Sequence, residues 1–125
     1  CLGMQLLFDE SDEFGVHEGL HLIPGRVEAF PKDIDLLVPQ MGWNQNVVNN
    51  EQSIFADVLD GSYTYFVHSY YAKCDQQYVV SYTNYGVKVP SCVEFRNVYG
   101  MQFHPEKSSK SGLALLKNFL NTEVE

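Results

Sequence analysis

The 125-residue chain is the size of one domain and carries 16 acidic against 8 basic side chains, a formal net charge of -8; that field repels a phosphate backbone, and no Lys or Arg cluster overrides it. Neither nucleic acid nor a membrane is an expected partner: no apolar run approaches the roughly 18 residues of a span, and the first residues given do not read as a basic-then-apolar signal. Cys1, Cys74 and Cys92 are widely spaced with no CxxC pair, which supports neither a disulfide framework nor a zinc ribbon and leads to the expectation of a soluble protein in a reducing cytoplasm.

In chain order, Leu2 to Phe8 is apolar with Gly3 and Gln5 interposed and reads as a short helix, followed by the solvated acidic run DESDE at residues 9–13. LIPGRVEAF and DLLVPQMGW are brief apolar runs punctuated by Pro and Gly, the pattern of short strands or strand ends. SYTYFVHSYY at residues 62–71 is dense in aromatic and β-branched side chains, and YVVSYTNYG from Tyr78 repeats that character after the polar break KCDQQ. The two read as strands, with a hairpin as the simplest pairing. NVYGMQF gives one more strand, interrupted at Gly100. SSKSGLALLKNFL then sets Leu113, Leu116 and Leu120 at helical spacing behind serines that are candidate caps, a closing amphipathic helix. With no internal repeat or linker, residues 1–125 read as one unit.

A helix over residues 2–8 puts Cys1 at its amino end, where free N–H groups and the helix dipole favour an anion. The thiol pKa then drops below its ordinary value of about 8.5. The Leu2 N–H points to the same place, as one donor of an oxyanion hole does. A small buried cysteine is the plain alternative for this stretch. HPE at residues 104–106 adds a second part. Pro105 drives His104 toward extended angles, and residues two apart in an extended segment share a face. Glu106 can then accept a hydrogen bond from one imidazole nitrogen while the other meets a thiol, the base-plus-orienter arrangement of nucleophilic catalysis. A hydrogen-bonded structural histidine is the alternative here.

CLGMQLLF together with FHPEKS resembles the class I, or triad, glutamine amidotransferases. VPQMGWN at 38–44, YFVHSYY at 65–71 and GMQFHPEKSSKSGLALLKNFL at 100–120 are similar, more narrowly, to the glutaminase subunit of imidazole glycerol phosphate synthase. The segments follow the family's order over nearly the whole chain. The resemblance implies an α/β fold: a fragment of a flavodoxin-like, doubly wound domain, namely its C-terminal portion from the nucleophile elbow onward. In the family a buried strand, a glycine and about two further strand–helix units precede the nucleophile, so Cys1 is expected to be an internal residue of a truncated domain. The missing part includes the glycine-rich loop that supplies a second oxyanion donor. Loss of one such donor costs on the order of 100-fold to 1000-fold in rate, so the chain by itself is expected to be inactive.

Carried over residue by residue, the resemblance makes Cys1 the nucleophile, His104 the general base and acid, Glu106 the orienter and Leu2 an oxyanion donor. Gln5, Glu13 and the backbone around Ser69 and Tyr70 would contact glutamine, while Met41, Trp43, Asn44, Tyr65 and Lys107 would face the partner subunit. By themselves Trp43 and Tyr65 read as ordinary aromatic packing. The implied reaction is hydrolysis of the glutamine side-chain amide through a glutamyl thioester, with no metal or organic cofactor. The implied partner is a (β/α)8-barrel cyclase that takes the ammonia through a tunnel in histidine biosynthesis, forming a heterodimer. Gln40 stands where histidine is frequent in the family, which leaves a paralogous acceptor in sugar biosynthesis open.

Two rival chemistries have a sequence basis. An amino-terminal nucleophile hydrolase also begins at Cys1, but it gives HPE no task. HEGLH at residues 17–21 matches the HExxH zinc pattern, in which His17 and His21 on one helical face would be ligands and Glu18 the base. Gly15, Gly19, Pro24 and Gly25 oppose that helix.

Overall fold

The computed structural model describes residues 2–13 and 15–121. It is a mixed α/β structure in which ten described strands fall into three small sheets. The elements run α1 (Leu2–Gln5), β1 (Glu10–Ser11), β2 (His17–Glu18), β3 (Arg26–Ala29), β4 (Gln40–Gln45), β5 (Val47–Val48), α2 (Ala56–Leu59), β6 (Tyr63–His68), β7 (Tyr70–Lys73), β8 (Val79–Asn84), β9 (Lys88–Phe95), β10 (Val98–Met101) and α3 (Ser109–Leu120). One sheet is ordered β2-β1-β3-β7, a second β10-β9-β8-β5, and β4 pairs with β6 as a separate ribbon. The β1–β3 pairing is parallel, and the other described pairings are antiparallel. These several sheets are what a fragment of the expected α/β domain presents. The longest described helix, α3, has 12 residues, and no described helix is long and apolar enough to cross a membrane.

Helix α1 stops at Gln5 rather than Phe8: Leu7 N–H turns back to Met4 O, and the carbonyls of the residues that follow are taken by another segment. Leu6 O accepts from Leu20 N–H, Leu7 O from the N–H groups of Leu22 and Ile23, and Phe8 O from His21 N–H. Gly19 permits this approach, since a Cβ there would lie 2.1 Å from Phe8 O. The HEGLH stretch is thus a strap laid over the end of α1. Its His17 and Glu18 stand on a two-residue strand, and the single-helix face that would align His17 with His21 is not formed. His21 instead lies 3.1 Å from Asp9.

The aromatic run at 62–71 divides at Ser69 into β6, which pairs with β4, and β7, which pairs with β3. This corrects the hairpin expectation: β8 pairs with β9 and β5 instead. Strand β9 was masked in the sequence by Pro90, which demotes an apolar run as a strand candidate. Gly100 lies within β10 rather than interrupting it. Its bare Cα lets α1 pack down, as a Cβ there would come 2.8 Å from Leu7 and 2.9 Å from Met4.

Two buried clusters hold these pieces together. Phe55, Leu59, Phe66, Val80, Cys92, Phe103 and Leu115 join α2, β6, β8, β9 and α3. Met4, Phe8, Ile23, Val27, Ala72 and Val93 join α1, β3, β7 and β9. Each large side chain removed from water in this way contributes roughly 1.5–3 kcal/mol. In α3 the buried residues are Gly112 and Leu115, whereas Leu113, Leu116 and Leu120 are exposed. The apolar stripe inferred from helical spacing therefore faces outward among the described residues, because Gly112 must sit against Pro105 and that contact sets the helix rotation.

Candidate active site

The HPE turn is built by Phe103 and Ser108 on either side of it. Phe103 is fully buried against Phe66, edge to face at 5.9 Å, so the next residue points away from the core. His104 has extended angles, φ -98° and ψ 102°, as a residue before proline should. The chain then closes into a one-turn 3-10 helix at Pro105–Lys107. Glu106 therefore reaches the imidazole through a tight turn rather than along a shared extended face, and His104 Nδ1 lies 2.9 Å from Glu106 Oε1.

Three hydrogen bonds fasten His104 to β6 in a closed ring. His104 N–H donates to Tyr65 O at 3.0 Å, Tyr65 N–H donates to Ser108 Oγ at 3.1 Å, and Ser108 O–H donates to His104 O at 2.6 Å. Ser108 is buried and precedes α3, but its side chain makes no capping bond. Its hydroxyl is committed to the turn. The sequence marked it only as a cap candidate, since hydroxyls at helix starts most often have that role.

The electrostatics of the pair favour an ionised carboxylate. Glu106's own backbone N–H, the largest influence, holds its carboxyl below the usual carboxylate range; burial opposes it, and hydrogen bonding with His104 and the charges of His104 and Lys107 lower it by smaller amounts. With a carboxylate accepting at Nδ1, the imidazole carries its proton there and leaves Nε2 free to take one from a thiol. Cys1 lies outside the described residues. The other two thiols are poorly suited to be thiolates: burial pushes Cys74 up to about 11 and raises Cys92 further still.

The amino end of the described chain lies beside this turn. Gly3 and Met4 of α1 line the same apolar groove as Pro105, with Tyr99, Leu115 and Phe119 completing its wall. Leu2 is the first residue of α1, where backbone N–H groups lack intrahelical acceptors. Gln5, one turn on, is buried. Its Nε2 donates to Tyr70 O at 3.1 Å and to Gln102 Oε1 at 3.3 Å, which uses both amide hydrogens and leaves Gln5 Oε1 to accept from a ligand. Ser69 is the half-buried residue between β6 and β7. Glu13 sits on the turn after β1, its backbone N–H donating to Ser11 Oγ. Because β1 runs parallel to β3, Glu13 lies toward the Ala29–Tyr70 end of that sheet.

The residues expected at a partner face occupy the β4–β6 ribbon and the HPE turn. Trp43 is paired across the ribbon with Tyr65, edge to face at 5.9 Å, so the aromatic packing expected of them exists, but on an outer face. Trp43 is 50% exposed and Met41 61%. Asn44 is half-buried and Lys107 exposed. Inward from the same ribbon point Gln40 and His68, hydrogen-bonded to each other at 2.8 Å. The sequence marks Gln40 only as a departure from the family and gives His68 no role, because neither residue belongs to the nucleophile and base signals.

Fold and turn are those of an amidotransferase-type chain, and it belongs to the glutamine amidotransferase class-I family, whose model matches residues 1–122. Among its relatives, the imidazole glycerol phosphate synthase subunit HisH of Lactiplantibacillus plantarum is 56% identical over 119 residues, covering 95% of this chain and 57% of the relative. The HisH subunit of Archaeoglobus fulgidus is 52% identical over 121 residues, covering 97% and 61%. That of Listeria monocytogenes is 48% identical over 119 residues, covering 95% and 57%. The chain thus spans about three-fifths of the length of the curated relatives it matches.

Proposed function

We propose that this chain supplies the nucleophile, base and orienter of a glutaminase subunit of imidazole glycerol phosphate synthase. The observation that carries the reading is the His104–Glu106 hydrogen bond at 2.9 Å, fixed to β6 and flanking the groove that α1 enters. In this mechanism the Cys1 thiolate attacks the side-chain amide carbon of glutamine, and the Leu2 N–H donates to the developing oxyanion. The His104 imidazolium, steadied by Glu106, protonates departing ammonia. Water activated by His104 then cleaves the thioester, releasing glutamate and returning Cys1. Gln5, Ser69 and Tyr70, with Glu13, bind the amino-acid end of glutamine. No step calls for a metal or organic cofactor.

Ammonia must reach its acceptor before bulk water protonates it, so the reaction belongs in a heterodimer with a cyclase, in the cytoplasm. The aromatic ribbon at Met41, Trp43, Asn44 and Tyr65, with Lys107, is the surface assigned to that contact. The test is glutamine hydrolysis by the full-length protein assembled with its cyclase, with the cyclase product identified. Glutamate release that Cys1→Ser and His104→Ala abolish, coupled to formation of imidazole glycerol phosphate, is expected. Glutamate release without that product would instead favour a different acceptor, such as a sugar, and an absence of release in the assembled wild type would overturn the reading.

A further inference from the structure

The carbonyl of Tyr70 is held by two side chains at once. Gln5 Nε2 donates to it at 3.1 Å, and His68 Nδ1 lies 2.8 Å away. His68 is buried, with the rings of Phe30 at 5.4 Å and Phe66 at 5.8 Å. Burial pushes its pKa down to about 4, so the ring is neutral near pH 7 and carries a single N–H. A carbonyl only accepts, so that hydrogen is on Nδ1. Nε2 is then an acceptor, and the fully buried amide of Gln40, 2.8 Å away, must turn its NH2 toward it, since amide N and O exchange places by rotation about one bond. In that orientation Gln40's nitrogen, otherwise without a partner, gains one.

Side chains from α1, β4 and β6 thus converge on one peptide at the point where the chain leaves β4's side and joins β3. We infer that His68, oriented by Gln40, is a positioning residue for glutamine: it sets the Ser69–Tyr70 backbone against which the substrate docks. The inference rests on the proposed function, which assigns that backbone to glutamine. His68 touches no reacting atom. It acts through Tyr70, and it shares the carbonyl with Gln5, so the second lone pair of that oxygen ties the substrate-contacting glutamine to the same peptide.

The consequence is a defect in binding rather than in chemistry. In the full-length protein with its cyclase, His68→Leu raises the KM for glutamine about tenfold or more, the loss of one buried hydrogen bond, with a much smaller change in kcat. His68→Asn, whose amide nitrogen takes the place of Nδ1, restores most of the wild-type KM. Gln40→Leu shifts KM in the same direction by less. Alkylation of Cys1 by iodoacetamide, which needs only the thiol, runs at the wild-type rate in all three, whereas labelling by a diazoketone analogue of glutamine slows as KM rises. A wild-type KM in His68→Leu and Gln40→Leu would overturn the inference. Equal losses in His68→Leu and His68→Asn, with kcat and iodoacetamide reactivity falling together, would do the same by marking a general structural defect. Absence of turnover in the wild-type complex would remove the parent reading; turnover with an unchanged KM in the variants removes this inference alone.

Discussion

Histidines 68 and 104 show how position within a few residues decides what an imidazole does. His104 is partly exposed at a turn, with an ionised carboxylate at Nδ1. His68 is buried among aromatic rings, with only neutral partners. For His104, Glu106→Gln keeps an acceptor but removes the counter-charge that the proposed mechanism gives the imidazolium formed when the Cys1 thiol gives up its proton. In the assembled full-length enzyme kcat should fall on the order of 100-fold with KM little changed. Because Glu106's carboxyl is held below the usual range, the counter-charge survives into mildly acidic solution and is lost only as pH falls through that lowered pKa. For His68 the direction is the same but the cause differs, since here burial disfavours the charged ring. Its pKa drops from 6.5 to about 4, so between those values the unfolded chain binds a proton that the folded chain refuses. Stability contributed by the neutral ring is complete above about pH 6.5 and declines as pH falls toward 4, by about 3 kcal/mol in total. Denaturant titrations of the full-length protein at neutral and acidic pH should show a shallower acid decline for His68→Asn than for the wild type; parallel declines would contradict the assignment.

Among the elements, α3 shows what a sequence pattern carries and what it cannot. Its existence was legible from the spacing of Leu113, Leu116 and Leu120, but its rotation was not, because the deciding contact is between a glycine and a backbone carbonyl of the preceding turn, neither of which shows in an apolar pattern. Gly112 packs so closely on the HPE turn that a Cβ would lie 1.8 Å from Pro105 O. Similarly, β6 and β7 were legible as aromatic, β-rich sequence, but their partners β4 and β3 lie far along the chain, and local pattern carries no long-range pairing. Of the candidate site, HPE was readable because proline fixes local angles, whereas Ser108 and His68 act through backbone atoms and Gln40 through a ring 28 residues away, contacts that leave no local sequence signature. The α3 contact gives a direct test. Gly112→Ala should force α3 off the turn, cost about 2 kcal/mol or more in stability and reduce kcat, since backbone cannot yield as a flexible side chain does. Leu113→Ala, at a residue 67% exposed, should change both by little. Wild-type stability in Gly112→Ala would show that the helix shifts freely.

At the scale of the molecule, the outer aromatic face and the HPE turn are two sides of one residue. Tyr65 presents its ring beside Trp43 on the exposed ribbon, while its backbone N–H and C=O hold Ser108 and His104. Covering that face would therefore press on the strand that holds His104, the base of the proposed mechanism. The ribbon has the composition of an interface core, with Met41, Trp43, Tyr63 and Val67 exposed along one side, and a half-exposed tryptophan is the residue type that most often dominates such contacts. Trp43 is the single tryptophan of these 125 residues, so with any tryptophan elsewhere in the full-length protein replaced by phenylalanine its emission reports this face alone. Titration of the full-length protein with its cyclase, itself made free of tryptophan or observed by difference, should move the emission to the blue as the indole leaves water. Trp43→Ala should weaken Kd on the order of 30-fold, about 2 kcal/mol, while leaving unfolding by denaturant nearly unchanged, because an indole half in water contributes little to the core. An unshifted emission at saturation, together with a wild-type Kd in Trp43→Ala, would place the cyclase elsewhere and separate the aromatic ribbon from the glutamine site it adjoins.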